Sequence, residues 1–461
     1  MHKTCAIILA AGDGKRMKSA SPKVLCEVLF TPLISWVVKS PIGAGIEQCC
    51  VVVSESNQTA VSAHLPKHFN TAVQHEKLGT GHAAYMAADF IRAGGYTDVL
   101  VLYGDAPFFT SGDLTGGYEL HKQRGNLVTA YSAVVEKPFG FGRIVREGEA
   151  LKAVVEERDA DEATKLINEV NVGTYWFDAG FLLNFFENMS CNNAQQEYYL
   201  TDAIEYAVQG KKNAGVFAVE PSHFLAANNR AELAVLNEFA RRKVIEKHLE
   251  NGVNIPFLDG IIIGPDVEIA ADTLILPGTI LKGSTKIGEC CEIGPNTQIT
   301  DAVIGNSCLI QSSFIADSTV CNNAKIGPFC NIRPGCVVED GAKIGDFVEL
   351  KNSVIGANTS VAHLTYIGDS DVGSGCNFGC GVVTANYDGK NKHRTVIGDD
   401  CFIGCNCNLV PPLTLGDRAY AATGTTITED VPSDALVIGR VRQEIKENWA
   451  KESGLYQKKQ K

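Results

Sequence analysis

The chain carries no surplus of positive charge: 41 Lys and Arg stand against 53 Asp and Glu, a formal net charge of −12. That balance argues against a nucleic-acid or anionic-membrane surface, since both require a basic face. Long apolar runs are also missing, and nothing approaches the roughly 20 residues that span a bilayer. The first apolar stretch, Cys5 to Ala11, opens directly into a charged segment and is expected to be a buried first strand; a signal peptide would need a longer apolar core. The cytoplasm is the expected compartment. Among the 16 cysteines there is no CxxC pair, which removes the usual zinc and redox spacings, and reduced thiols suit the cytoplasm.

What the sequence does contain is a six-residue beat. Apolar anchors fall at Ile263, Ile269, Ile275, Leu281, Ile287, Ile293 and Ile299, then continue with occasional steps of five through Ile304, Ile310, Ile315, Cys321, Ile326, Ile332, Val338, Ile344, Leu350, Ile355, Val361, Ile367, Val372, Phe378 and Thr384. One insertion, NYDGKNK, interrupts the array before Ile397, Ile403, Leu409, Leu415, Ala421 and Ile427 resume it. A period of six with turn residues after each anchor predicts a parallel β-helix with about eighteen residues per coil and the anchors pointing inward. Cys291, Cys308, Cys330, Cys336, Cys376, Cys401 and Cys407 each lie four residues after an anchor. Cysteine at that recurring position reads as a small buried filler.

The first half alternates strand and helix signals, as in a layered α/β domain with a mainly parallel sheet. TCAIILAA (4–11) leads into GDGKRM, where Gly12 and Gly14 would let backbone amides approach phosphate oxygens while Arg16 and Lys23 supply charge. Neither the Walker Lys-Ser/Thr pair nor the third dinucleotide-binding glycine is present. CCVVVS (49–54) and DVLVLYGD (98–105) read as buried strands, and GHAAYMAADFI (81–91) has helical spacing. Asp105 falls at the carboxyl end of its strand, where open α/β sheets bind ligands, and a carboxylate there suits Mg²⁺. Residues 74–81, QHEKLGTG, offer an amide and turn glycines suited to the edge of a nucleobase.

LAAGDGKRM followed by SPKVL (21–25) resembles the opening of the sugar-1-phosphate nucleotidyltransferases. FGFGRI (139–144), VVEERDA (154–160), EVNVG (169–173) and QQEYYLTD (195–202) resemble, in order, the sugar-contacting segments of bacterial N-acetylglucosamine-1-phosphate uridyltransferases. The resemblance implies nucleotide contacts at Leu9, Ala10, Ala11, Gly12, Arg16, Lys23, Tyr103 and Gly104, with Gln74, Gly79 and Thr80 on uracil. It implies sugar contacts at Gly142, Glu156 and Asn171, and metal ligation by Asp105 and Asn228. Since AANNR lacks the family's usual glycine-valine before the paired asparagines, Asn229 remains the alternative to Asn228. Such a transfer asks the protein to align an anionic sugar phosphate with the α-phosphorus of UTP and to neutralise the departing pyrophosphate.

Residues 231–249 place Leu233, Leu236, Ala240 and Val244 on one face of a single connecting helix. The domain reading is therefore 1–230, a connector at 231–251, and a solenoid at 252–461 whose tail after Trp449, ending QKKQK, is expected to fray. Several residues break the small-and-polar exterior of the repeat. Arg333 and Lys351 each follow an anchor directly, and His363 lies two residues after Val361 within VAHLTYIGD. Tyr366, Asn377 and the insertion with Asn386 and Tyr387 come next. This set is similar to the acetyltransferase half of the bifunctional enzyme that makes UDP-N-acetylglucosamine, one of the left-handed hexapeptide-repeat acyltransferases. By that resemblance His363 is the base that deprotonates the amino sugar. Arg333, Lys351, Tyr366 and Asn377 hold the sugar phosphate. Asn386, Tyr387, Cys380, Cys405, Thr423 and Arg440 line the acetyl-CoA path, although the family usually has Ala, Ser and Ala where this chain has Cys380, Cys405 and Thr423. The resemblance further implies a homotrimer assembled through the solenoids. Two other readings stay open: a sugar nucleotidyltransferase whose solenoid only oligomerises, and a non-catalytic scaffold built on both folds.

Overall fold

The computed structural model describes residues 3–12, 14–19, 21–148 and 150–455. Asp13 of the glycine-rich turn and the QKKQK end of the tail lie outside the described residues, whereas the tail begins with a short helix at Trp449–Glu452 where fraying was expected. The chain divides into two compact units, Met1–Ala240 and Arg241–Lys461. Within the described residues no helix is long and apolar enough to cross a membrane.

The central sheet of the first unit contains β1 (Thr4–Leu9), β2 (Cys49–Ser54), β3 (Asn70–Gln74), β4 (Asp98–Tyr103), β5 (Val128–Val134), β6 (Arg143–Glu147), β7 (Ala150–Val155), β8 (Glu169–Asp178) and β9 (Ala214–Ala218). The strand order is β9-β5-β8-β4-β1-β2-β3, with β6 attached to β8 and paired to β7. β1 runs parallel to both β2 and β4. The expectation of a mainly parallel sheet needs one amendment: β8 is antiparallel to β4 and β5. That reversal lets β8 leave the sheet toward the β6–β7 hairpin, which carries Gly142 and Glu156 at its ends.

Period-two alternation divides β1 between two cores. Cys5, Ile7 and Leu9 pack beneath helices Thr80–Tyr85, Ala88–Gly94, Ala179–Glu187 and Asp202–Gln209. Ala6, Ile8 and Ala10 face helices Leu33–Gly43 and Ser111–Gln123. A sheet covered on both faces explains why its strands are apolar at nearly every position. The helical spacing at 81–91 resolves into two helices broken at Met86 and Ala87. The connecting helix is continuous from Arg230 to Glu250 and buries Leu233, Leu236, Ala240 and Val244.

The second unit is a parallel β-helix with three sheets of ten, nine and ten strands. Register follows the anchors, with Ile263 beside Leu281 and Leu281 beside Ile299. One anchor is corrected: Val320, not Cys321, points inward, pairing with Ile304 and Val338, while Cys321 is half-buried. Two consecutive five-residue steps, 310 to 315 and 315 to 320, shift the beat by one residue. The seven cysteines four residues after an anchor are buried, and several are more than filler. The Cys291 thiol donates to the Gly305 carbonyl at 3.0 Å and the Cys308 thiol to the Cys321 carbonyl at 3.0 Å, as the Thr273 hydroxyl does to Gly288 at 2.7 Å. Thiol and hydroxyl thus serve interchangeably to satisfy carbonyls inside the coil corners.

Candidate functional sites in the two units

In the first unit a cleft of about 490 Å³ opens at the carboxyl ends of β1 and β4. Leu9, Ala10, Ala11, Gly12, Arg16, Lys23, Gln74, Gly79, Thr80, Tyr103, Asp105 and Asn228 all line it. The loop after β1 is pinned from behind by Asn57, whose amide donates to the Ala10 carbonyl at 2.9 Å. Gly14 has φ +57°, and a Cβ there would lie 2.5 Å from Cβ of Lys23. Only glycine lets the turn close onto the lysine in this way.

Charge is concentrated at one end of the cleft. The Lys23 ammonium pairs with the Asp105 carboxylate and donates to Oδ1 of Asn228 at 2.8 Å. Arg16 donates to the same oxygen at 3.0 Å. The Asn228 amide is oriented by Glu232, which accepts from its backbone N–H at 2.7 Å and its Nδ2 at 3.1 Å. Asn229 instead caps the connecting helix, accepting from the Glu232 N–H at 3.0 Å. Of the two asparagines, Asn228 faces the cleft.

Gly104, Gly142, Glu156 and Asn171 lie behind or beside this cleft. The Gly104 N–H donates to the Leu9 carbonyl at 2.9 Å. The Asn171 N–H donates to the Gly142 carbonyl at 2.8 Å, and Glu156 accepts from Thr201 at 3.2 Å. Burial pushes the Glu156 carboxyl above its ordinary range. Glu156 lines a neighbouring hollow of about 440 Å³ together with Asp159, Tyr199 and Asp202. Tyr103 joins the two regions: its ring lies against Gly173, where a Cβ would meet Cε2 at 2.0 Å, and it is close enough to Glu156 to feel that charge.

The solenoid positions its exceptional residues by stacking coils. Arg333 pairs with Glu349 of the next coil at 2.9 Å. Nδ1 of His363 lies 2.9 Å from Oδ1 of Asp346, its register partner on the preceding coil. Lys351 lies 3.9 Å from Asp369, which also accepts from Asn352 at 2.7 Å and from Asn386. Neighbouring Lys392 and desolvation hold the Lys351 ammonium below the usual lysine range. The Tyr366 hydroxyl lies over Gly368, and Asn377 is the register partner of Ser360. Cys380, Cys405 and Thr423 hold equivalent places on successive coils, continuing the pairings Phe378 with Ile403 and Ile403 with Ala421. Arg440 donates to the Thr423 carbonyl. The insertion is a closed loop in which Asp388 accepts from the Lys390 and Asn391 N–H groups at 2.7 and 2.6 Å, leaving Tyr387 exposed.

The nucleotidyl transferase family model matches residues 5–222 and the bacterial transferase hexapeptide model, six repeats, matches residues 317–352. The bifunctional protein GlmU of Caldanaerobacter subterraneus subsp. tengcongensis is 47% identical over 98% of both chains. That of Thermoanaerobacter pseudethanolicus is 46% identical over 98% of both, and that of Acetivibrio thermocellus 43% over 99% of both. This chain belongs to the bifunctional GlmU family. Its solenoid is accordingly the left-handed, hexapeptide-repeat kind of β-helix.

Several residues of these two GlmU-type sites were not singled out from the sequence. Val24, Lys77, Ala83 and Glu197 also line the cleft, and Glu232, Asp346, Asp369 and Lys392 hold or charge the residues named above. Val24, Lys77, Ala83, Glu197, Asp369 and Lys392 sat within quoted motifs, Glu232 within the connecting helix, and Asp346 in neither. Glu232, Asp346, Asp369 and Lys392 act on partners 4 to 41 residues away along the chain, and no local pattern marks those pairings.

Proposed function

We propose that the protein makes UDP-N-acetylglucosamine in two steps, acetylating glucosamine-1-phosphate with acetyl-CoA on the solenoid and then joining the product to UTP in the first unit. The convergence of Arg16, Lys23, Asp105 and Asn228 at one end of the cleft carries the uridylyl-transfer reading. There Lys23 and Arg16 would neutralise phosphate charge and the backbone at Ala11 and Gly12 would flank the triphosphate, while Gln74, Gly79 and Thr80 read the base. The residues present fit Mg²⁺: the Asp105 carboxylate and the Asn228 carbonyl oxygen already meet at one cation, the Lys23 ammonium, and both are hard oxygen ligands. When held by Asp105 and Asn228, the metal would supply positive charge to offset that of the phosphates. Gly142, Glu156 and Asn171 would hold the sugar beyond Tyr103.

On the solenoid, His363 takes the proton from the amino group so that the free amine attacks the thioester. Arg333 and Lys351 hold the sugar phosphate, with Tyr366, Asn377 and Asn386 around the sugar. Cys380, Cys405, Thr423, Tyr387 and Arg440 contact the coenzyme. We also infer a homotrimer working in the cytoplasm. The apolar column Phe329, Phe347 and Leu364, each exposed in left-handed backbone, supports a covered solenoid edge, and the free thiols suit a reducing compartment.

The test is mass spectrometry of products with glucosamine-1-phosphate, acetyl-CoA, UTP and Mg²⁺, omitting each in turn. Acetyl-CoA and glucosamine-1-phosphate alone should yield N-acetylglucosamine-1-phosphate and free coenzyme thiol. UDP-sugar formation without any thiol release would leave the solenoid as an oligomerising module. Asp105→Ala should abolish uridylyl transfer and spare acetyl transfer, and His363→Ala the reverse; equal loss of both activities in either variant contradicts the division.

A further inference from the structure

His363 ends a short strand, Ser360–His363, and its register partner on the preceding coil is Asp346. Adjacent parallel strands are about 4.8 Å apart, so an aspartate there reaches the ring while an alanine or serine would not. The observed distance, 2.9 Å from Oδ1 to Nδ1, is a hydrogen bond. An ionised carboxylate can only accept, so the proton sits on Nδ1 and the lone pair is left on Nε2. The hydrogen bond from His363 holds Asp346 below the usual carboxylate range, keeping it an acceptor.

The neighbouring acid does not compete for this place. Glu349, on the same coil as Asp346, is taken by Arg333. On the following coil the register of Ser360 with Asn377 and Val361 with Phe378 brings Cys380 beside His363. Asp346 is therefore the charged group that faces the imidazole from the adjoining coils among the described residues. Thr365, on the histidine's own coil, donates to the His363 carbonyl and leaves the ring alone.

We propose that Asp346 is a positioning residue for acetyl transfer, holding His363 in the tautomer and orientation in which Nε2 accepts the proton of the amino sugar. The proposal rests on the reading of His363 as the base. Asp346 touches no substrate; it acts through the ring, as the third member of a nucleophile-base-acid set does in general. The carboxylate is part-exposed, so its contribution is to geometry and tautomer more than to net stability.

The test compares Asp346→Ala, Asp346→Asn and Asp346→Glu with His363→Ala in the full-length protein, measuring acetyl transfer by thiol release and uridylyl transfer as the folding control. Asp346→Ala should lower the acetyl-transfer kcat by about tenfold or more, a part of the range that general base catalysis spans, with KM for both substrates within about twofold. Asp346→Asn should do no better, since its amide can donate to Nδ1 and favour the opposite tautomer. Asp346→Glu, which restores an acceptor, should recover part of the rate. If His363→Ala is inactive while Asp346→Ala and Asp346→Asn keep kcat within about twofold, the positioning role is overturned and the base assignment stands. If His363→Ala itself retains acetyl transfer, the underlying reading fails and this inference with it.

Discussion

Gly173→Ala probes how the first unit couples its two regions. Gly173 sits in a bulge of β8, between Asn171 and Tyr175, where the register against β5 shifts. Its φ is +81°, and an added Cβ would lie 2.0 Å from Cε2 and 2.2 Å from Cδ2 of Tyr103. Left-handed backbone costs an alanine about 1–2 kcal/mol. Carbon atoms in contact prefer about 3.5–4 Å, so the ring must swing by more than an ångström, and overpacking of this kind costs a further ~1–3 kcal/mol. The total is about 2–5 kcal/mol. Tyr103 lines the cleft and hydrogen-bonds to Thr80, so any of that strain relieved by displacing the ring appears as lost uridylyl transfer. At about 1.4 kcal/mol per decade, 2 kcal/mol there is roughly a 30-fold loss in kcat/KM. Denaturation of the variant and steady-state uridylyl transfer, with acetyl transfer as the control, measure the two outlets. An alanine variant with unchanged stability and unchanged uridylyl kcat/KM would refute the packing argument.

Burial pushes His248 down to about 4, and its Nδ1 has no hydrogen-bond partner among the described residues. The unfolded ring titrates near 6.5, so its contribution is full above about pH 6.5 and is lost as pH falls toward 4, by up to ~3 kcal/mol. Urea midpoints at pH 7.5 and 5 should differ less in His248→Leu than in the unsubstituted chain. The buried Asp98 carboxylate is held low, despite desolvation, by hydrogen bonds from His121, Lys122 and Thr97. Asp98→Ala should destabilise the first unit by about 2–4 kcal/mol at neutral pH, and this difference should shrink in acid as pH falls below the ordinary carboxylate range of about 4, checked by thermal melts. Val320→Ala should cost about 2 kcal/mol because Val320 is an inward anchor, whereas Cys321→Ala should stay within about 0.5 kcal/mol; the reverse ranking in denaturant titrations would restore the six-step register. Asn229→Ala should cost about 1 kcal/mol through loss of the helix cap and leave the Mg²⁺ dependence of uridylyl transfer unchanged.

The solenoid was legible from sequence because each coil repeats one local instruction, an inward branched residue followed by a turn, and stacking asks only for nearest neighbours. Strand ends in the first half were legible for a similar reason: an apolar run stopping at Asp105 places that carboxylate at the sheet's edge whatever the helices do. Family motifs then named most of the cleft. The same local logic fails where the period is ambiguous, as at Val320 and Cys321, since two five-residue steps and one of six each leave an apolar residue near the beat.

What only the tertiary structure decided are the pairings between segments distant along the chain. Asp346 and His363 are 17 residues apart, as are Asp369 and Asn386, and nothing in either local stretch specifies the partner. The coil length sets which residues stack, and a five-residue step changes the offset of its own coil alone, from 18 at Ile263 and Leu281 to 17 at Asp346 and His363. Tyr103 meets Gly173 across an antiparallel strand that the alternation of elements did not announce. Asn228 and Asn229 are chemically identical, and the helix that begins at Arg230 separates them, using one as its cap and turning the other into the cleft. Composition and period determine a strand's inward face, whereas side-chain partnership depends on register, which is a property of the folded whole.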